Sequence, residues 1–522
     1  MTAYYIDNQG IYTSDKRFIS KDIGCGLLAW LISDTPKENK LLYDLDACVA
    51  SLIKNTLSES QARELYENER VWVDGFKLTY FPTRFFAIDY GKQFVNFGNM
   101  IRYKSDVHYS PDDTLEDKIN KAKEADAIAQ SASEILGNLG LDKQKIISPV
   151  SALVDKYIKP LNIPTIDDVP EDAGELAYKT IKGNWLESYQ LGYWDTAYDY
   201  DINMAYGSVL ARLLDTRRGT WVEDKSMPDK AVYGFAEGTL EITSPFHPCL
   251  LAVDDKHTFT PSGYRVDHLD KGTIDLIRKN KLGTFDIQKG WWWIPSETRP
   301  PYQPLKGIVS HLYNIRFKSE GLKRAIIRQM VAGIWGRLIE IRKQELGELV
   351  NTVWASIVEN GIKCQVTDTC LSAGIMPLQV AVDGVITETP LPVKDTLDIG
   401  GWRLSHKGKC IIASSGIVGF EGKEGAEEFA LKYEWLESQL RENPKQTEYT
   451  MIKYSPVTLA KAMQNKNFNK LGALEKSERK IIIGRDYKRL WKSYPQNGGD
   501  LLNNKYVSSP IDVVMAQSAY NE

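Results

Sequence analysis

The dipeptide Asp383-Gly384, set between the short apolar runs 378–382 and 385–389, constrains this chain more than any other single feature. Asp-Gly between two β runs is a strong hairpin signal, because both central residues of a type I′ turn need positive φ. The pattern predicts a hairpin whose flanks are buried and whose tip carboxylate projects. A second carboxylate, Asp201, closes an expected strand over 196–201 in the segment Tyr198-Asp199-Tyr200-Asp201-Ile202-Asn203-Met204-Ala205-Tyr206-Gly207-Ser208, ahead of a helical pattern over 205–214. With the strand beside the hairpin, the two carboxylates converge. Mg²⁺ prefers one or two carboxylates plus substrate phosphate oxygens. Two such ions about 3.5–4 Å apart polarise both the attacking and the leaving oxygens of a phosphoryl displacement. Taken singly, each aspartate reads more readily as a cap or turn residue.

A chain of 522 residues exceeds what one core organises, so three or more units are expected. Apolar residues at 43% and charged residues at 26% place it among folded proteins rather than disordered ones. The apolar stretch 26–32 is too short to span a membrane and lacks a basic leader, so a cytoplasmic protein with no membrane partner is expected. Six scattered cysteines without C-x-x-C spacing argue against zinc, iron–sulfur or disulfide frameworks. The net charge of −4 does not advertise a nucleic-acid partner, but positive charge is concentrated late in the chain. Residues 314–343 carry eight basic groups against two acidic, and 461–492 ten against three.

Along the chain, β-like runs at 2–6, 40–45, 71–80 and 84–88 predict an α/β or α+β domain, followed by a helix over 115–136 and a first boundary near 175–185. A proline- and tryptophan-marked β region precedes the strongest helical pattern, 318–343. On it Arg324, Arg328 and Trp335 fall within an arc of about 40°. Two guanidinium groups and an indole on one face suit a triphosphate and a base. An amphipathic helix with a basic edge has the same pattern. The last hundred residues read as helical and basic.

These segments, in this order, resemble the polymerase motifs of family B DNA polymerases, particularly the compact phage and plasmid enzymes. Against D-x-x-S-L-Y-P-S, Asp201, Tyr206 and Ser208 match, while Met204, Ala205 and Gly207 differ. Against K-x-x-x-N-S-x-Y-G, the segment Arg328 to Gly336 has Arg for Lys and Trp335 for Tyr, and lacks the Asn-Ser pair. D-T-D-S is reduced to Ala381-Val382-Asp383-Gly384, which keeps the second aspartate. The resemblance implies an α+β multidomain fold, a right hand of palm, fingers and thumb preceded by a ribonuclease-H-like exonuclease-type domain. Its expected limits are 1–180 for the N-terminal domain, 181–310 and 346–420 for the palm, 311–345 for the fingers and 421–522 for the thumb.

It further implies a DNA-directed DNA polymerase in which Asp201 and Asp383 bind two Mg²⁺ ions, with Mn²⁺ as a substitute. Arg328, with Arg316 or Arg324, would meet the incoming triphosphate, and Tyr206 would stack under the sugar and exclude a 2′-hydroxyl. The tail Arg485-Asp486-Tyr487-Lys488-Arg489, with Ser508-Ser509-Pro510-Ile511, resembles the thumb end of such enzymes, making Arg485, Lys488 and Arg489 expected DNA contacts. Primer-template DNA and deoxynucleoside triphosphates are the implied partners, with other replication proteins left open.

Family members usually carry D-x-E at the end of the opening strand of the exonuclease domain. This chain has Asp7-Asn8-Gln9 there, and Phe94-Val95-Asn96-Phe97-Gly98 offers no carboxylate either, so an inactive nuclease domain is expected. Asp44-Leu45-Asp46 and the stretch 109–113 mimic nuclease motifs only weakly. Two other readings compete: a binding relic without catalysis, and a metal-dependent glycosyltransferase using Asp199-Tyr200-Asp201 as its D-x-D.

Overall fold

The computed structural model describes residues 3–34, 38–103, 109–252, 258–342, 345–423, 433–486 and 488–513. They fall into two units: Met1–Lys156 with Lys318–Met330 and Thr450–Ile481, and Tyr157–Phe317 with Val331–Tyr449 and Ile482–Glu522.

The first unit is built on an eight-stranded sheet ordered β3-β2-β1-β4-β8-β7-β6-β5. Its strands are β1 (Tyr4–Asp7), β2 (Gly10–Thr13), β3 (Phe18–Ser20), β4 (Glu38–Leu42), β5 (Arg70–Val73), β6 (Phe76–Phe81), β7 (Phe85–Tyr90) and β8 (Gln93–Asn99). The pairs β1–β4 and β4–β8 are parallel and the others antiparallel. Helices α1 (Gly26–Asp34), α2 (Leu45–Thr56), α3 (Glu59–Asn68) and α4 (Leu115–Asn138) pack on the sheet, and Val457, Leu459, Ala462, Met463 and Leu471 from late in the chain join the same core. α4 starts where Thr114 and Asp117 form a reciprocal capping box. The β5–β6 tip is Asp74-Gly75, with φ of 46° and 83°, as a type I′ turn requires.

The second unit centres on the strands β9 (Leu186–Ser188) and β10 (Gln190–Ile202). In its main sheet β10 lies between Trp402–Ser414 and the hairpin strand Gly384–Thr387, whose partner Gln379–Ala381 pairs with β9. A four-stranded sheet of Gly219–Glu223, Gly283–Pro295, Tyr233–Ile242 and Gly263–Asp270 uses the Trp291-Trp292-Trp293 run as core: Trp292 and Trp293 are buried, their indole N–H groups donating to the carbonyls of Asp224 (2.9 Å) and Thr216 (2.8 Å). Among the described residues no helix is long and apolar enough to cross a membrane.

Two expectations of secondary structure are corrected, and the compact units divide the chain differently from the expected domains. The N-terminal stretch of the first unit runs to Lys156, and the helix Glu171–Lys179 packs with Thr352–Ser372: Thr352 Oγ1 donates to the Gly174 carbonyl (2.8 Å), and Lys182 N–H to Glu359 Oε1 (3.0 Å). The helix expected over 318–343 runs only Gly321–Leu338. The last hundred residues are not mainly helical: Glu448–Pro456, which carries Tyr449, Thr450, Ile452 and Tyr454, pairs with the charge-rich Leu474–Ile482 in a two-stranded ribbon, so pairing prevails there over local composition. The expected thumb is also divided, since Thr450–Ile481 falls in the first unit.

A candidate two-carboxylate site on the central sheet

Asp201 stands at the end of β10, opposite Gly384 on one side and Arg403 on the other. The hairpin pairs Ala381 with Gly384, so Val382 and Asp383 form its two-residue tip. The expected Asp-Gly turn is thus shifted by one residue, and neither Asp383 nor Gly384 takes positive φ. Val382 takes it instead, at 57°, a costly conformation for a β-branched residue. Neighbouring backbone holds it there: Val382 N–H donates to the Trp185 carbonyl (2.7 Å), and Ile202 N–H to the Asp383 carbonyl (3.1 Å). A Cβ built on Gly384 would sit 3.3 Å from the Tyr200 carbonyl oxygen and 3.9 Å from Asp201 Oδ1, so glycine keeps this position open beside the carboxylate.

Beyond Asp201 the chain turns through Met204, at φ 53° and ψ 49°, into the short helix Ala205–Leu210. The turn is clamped by Asn203, whose N–H donates to the Gly401 carbonyl (2.9 Å) and whose carbonyl accepts from Gly400 N–H (2.7 Å). Left-handed non-glycine residues therefore accompany both carboxylates. Such strain persists only where surrounding structure imposes it.

Asp201 and Asp383 are both half-buried. The Arg403 guanidinium lies 3.7 Å from Asp201 Oδ2. Asp199, two residues back, is paired with Lys423 at 2.5 Å. The first carboxylate of the D-x-D thus has an ammonium partner from the chain itself.

Tyr206 packs edge-on to Trp335, with ring centroids 5.5 Å apart at 68°, and the Trp335 indole N–H donates to the Ala355 carbonyl (3.0 Å). Burial, then the Glu359 and Asp383 carboxylates, push the Tyr206 hydroxyl up to about 12. A Cβ at Gly207 would lie 2.9 Å from Met204 Cγ and 3.0 Å from Val331 Cγ1, so close packing accounts for glycine there.

The cations are placed unequally. Arg316 is half-buried near the end of Lys306–Phe317. Arg324 and Arg328 are exposed, one turn apart on Gly321–Leu338, whose buried residues include Ile326, Ile327, Met330 and Ile334. Arg485 is exposed. Lys488 is half-buried, donates to the Leu186 carbonyl (2.8 Å), and has its pKa lowered by burial. Tyr487 lies outside the described residues.

The expectation for Arg489 is overturned. Its side chain is fully buried, paired with Glu187 Oε1 at 2.7 Å, donating to Ser508 Oγ at 2.6 Å and stacked 4.3 Å from the Tyr189 ring centre. A core guanidinium with these partners is not available to a DNA phosphate.

Sequence reasoning missed Glu359 and Lys363, a buried ion pair on Thr352–Ser372 whose i,i+4 spacing was its visible signal. Glu359 Oε1 also accepts from the N–H groups of Lys182 (3.0 Å) and Gly183 (2.9 Å). The pair borders a cavity of about 10 Å³ that Tyr206 and Val382 also line. A cavity of about 670 Å³ is lined by residues including Ser208, Arg212, Lys306 and Asp368, and by neither aspartate. Among the described residues, no group of three or more His, Cys, Asp or Glu side chains is gathered to hold a metal.

No protein-family model matches the sequence, and no curated protein does. In structure the chain is similar to Phi29 DNA polymerase. It matches that enzyme's complex with primer-template DNA and incoming nucleotide substrates with a TM-score of 0.59 at 11% identity, covering 93% of this chain and 99% of that one. The orthorhombic crystal form of the same polymerase gives 0.62 at 10% identity, covering 93% and 98%. Its complex with single-stranded DNA gives 0.61 at 12% identity, covering 93% and 99%. The chain thus has the α+β multidomain fold of a compact phage-type family B polymerase.

Proposed function

We propose that this protein is a DNA-directed DNA polymerase that transfers deoxynucleotides to a primer 3′-hydroxyl. The observation that carries this reading is the placement of Asp201 and Asp383 on adjacent strands, one at the end of β10 and the other at the hairpin tip, within this fold. Two half-buried carboxylates suit hard cations, so they are the residues that would hold two Mg²⁺ or Mn²⁺ ions. Bound there, the ions supply polarisation of the attacking and leaving oxygens.

The chain's own groups orient the reactants. Arg328, with Arg316 or Arg324 as the second cation, presents planar donors to the triphosphate. Tyr206, braced by Trp335, lies under the sugar and rejects a 2′-hydroxyl. Arg485 meets the DNA backbone, while Lys488 holds its own segment through the Leu186 carbonyl. Primer-template DNA and nucleoside triphosphates are the partners, a reading supported by the Phi29 complexes with those ligands. The first unit carries no proofreading nuclease, since its opening strand leads into Asp7-Asn8-Gln9.

Extension of a labelled DNA primer on a DNA template, with Mg²⁺ or Mn²⁺, tests this. Wild type should extend, and Asp201→Asn and Asp383→Asn should each lose at least ~100-fold in rate, about 2.7 kcal/mol of barrier, while folding normally. A well-folded wild type that binds primer-template without extending it would point to a binding relic instead.

A further inference from the structure

The first unit holds an acidic cluster of its own. Asp7 ends β1, Asp44 caps α2, and Asp113 lies just before α4. These carboxylates are not gathered to hold a metal, and the chain's own donors occupy them.

Asp7 Oδ1 accepts from the N–H groups of Gln9 (2.8 Å) and Gly10 (3.2 Å), and Oδ2 pairs with Lys118 Nζ (2.8 Å). Asp44 Oδ1 accepts from the N–H groups of Asp46 (3.1 Å) and Ala47 (3.2 Å), and Oδ2 from the Tyr109 hydroxyl (2.7 Å). Asp113 Oδ2 takes Lys121 Nζ and the Ser110 N–H. Lys118 and Lys121, three residues apart on one face of α4, are only 12% and 10% exposed.

Aromatic rings complete both sites. Lys121 Nζ lies 5.0, 5.2 and 5.7 Å from the ring centres of Tyr5, Tyr109 and Tyr43, and Lys118 Nζ 5.2 Å from that of Tyr12. Ammonium groups over ring faces gain attraction there, the more so when desolvated. A divalent ion would have to displace two buried ammoniums and forfeit these contacts. The donor set does not fit a metal.

We infer that Lys118 and Lys121 are built-in cations standing where divalent ions would otherwise neutralise Asp7 and Asp113. They fasten α4 to the sheet and make the unit's fold independent of metal. The inference deepens the reading of the first unit as nuclease-silent, and metal binding and nuclease activity are separately measurable.

The test is Mn²⁺ titration, by electron paramagnetic resonance and thermal unfolding, of the full chain carrying Asp201→Asn and Asp383→Asn. That protein should bind no stoichiometric Mn²⁺ and show no metal-dependent melting. Adding Lys118→Met and Lys121→Met should create Mn²⁺ affinity at least ~10-fold tighter than the parent's, with Mn²⁺ raising a lowered melting temperature. Stoichiometric Mn²⁺ in the parent, lost on Asp7→Asn, would overturn the inference. So would a folded Lys118→Met, Lys121→Met protein that Mn²⁺ neither binds nor stabilises, and Lys118→Gln with Lys121→Gln serves in its place where the methionine pair does not fold. Metal-dependent degradation of single-stranded primer by the parent would sink both the inference and the nuclease-silent reading; Mn²⁺ binding without degradation would sink the inference alone.

Discussion

Ile202 and Asp383 are joined through their backbones: the Ile202 N–H donates to the Asp383 carbonyl at 3.1 Å, one residue past Asp201. This bond ties the carboxylate-bearing end of β10 to the hairpin tip, so the separation of Asp201 and Asp383 is set by the sheet rather than by loops. Its cost falls on Val382, held at φ 57° between Ala381 and Asp383.

Val382→Gly should therefore separate strain from function. Glycine relieves roughly 1–3 kcal/mol of backbone strain, offset by about 0.5–1 kcal/mol from its freer unfolded chain and by lost side-chain contacts. Calorimetry should show a melting temperature equal to or slightly above wild type, while primer extension slows severalfold because the tip is less rigidly set. A stability loss beyond about 2 kcal/mol would mean that Val382 contributes mainly as packing.

Tyr206 and Trp335 make the second contact worth breaking. Trp335→Ala removes the edge-on partner and the bond to the Ala355 carbonyl, and should raise ribonucleotide incorporation relative to deoxynucleotide by about 10-fold or more, with Trp335→Tyr partly restoring discrimination. With its hydroxyl pushed up to about 12, Tyr206 stays protonated through the usual assay range. Tyr206→Phe should accordingly leave the shape of the extension pH profile between 7 and 10 unchanged, and a profile that loses a limb would contradict this.

Arg485 and Arg489, four residues apart, should behave as opposites. Arg489→Met leaves Glu187 buried and uncompensated, which should cost about 3–5 kcal/mol of stability by urea unfolding. Arg485→Ala should change stability by less than about 0.5 kcal/mol and reduce the salt dependence of primer-template binding by roughly one phosphate contact. If both variants keep full stability, the buried pair is not what fixes this segment.

These two arginines also mark how far the sequence could be read. Both are basic residues in a basic run, and charge alone cannot separate a surface cation from one paired in the core. The D-G signal at 383–384 identified a hairpin correctly, yet the same dipeptide forms the turn at Asp74-Gly75 and lies one position off it at Asp383-Gly384. The register of the second hairpin is set by long-range bonds to Trp185 and Ile202, which no local window contains. The strand, hairpin and helix that carry Asp201, Asp383 and Trp335 are legible because strand, turn and helix signals are local. The pairing of Lys423 with Asp199, and of Lys118 with Asp7, is not: each joins residues more than a hundred positions apart.

His247 gives the last prediction. It is fully buried, its Nδ1 accepts from Cys249 N–H at 3.3 Å, and burial, reinforced by the nearby Arg265 and Arg489 charges, lowers its pKa from 6.5 to about 3. The folded protein therefore keeps the ring neutral in a range where the unfolded chain protonates it. Protons bind the unfolded state preferentially, so this contribution is fully present above pH 6.5 and is lost as pH falls toward 3, at about 1.4 kcal/mol per pH unit. His247→Asn, which retains an acceptor near the Nδ1 position without titrating, should be less stable than wild type at pH 7. The gap should narrow by about 2 kcal/mol at pH 5, measured by urea unfolding. A gap that stays constant between those two values would show that His247 is accessible to protons in the folded state.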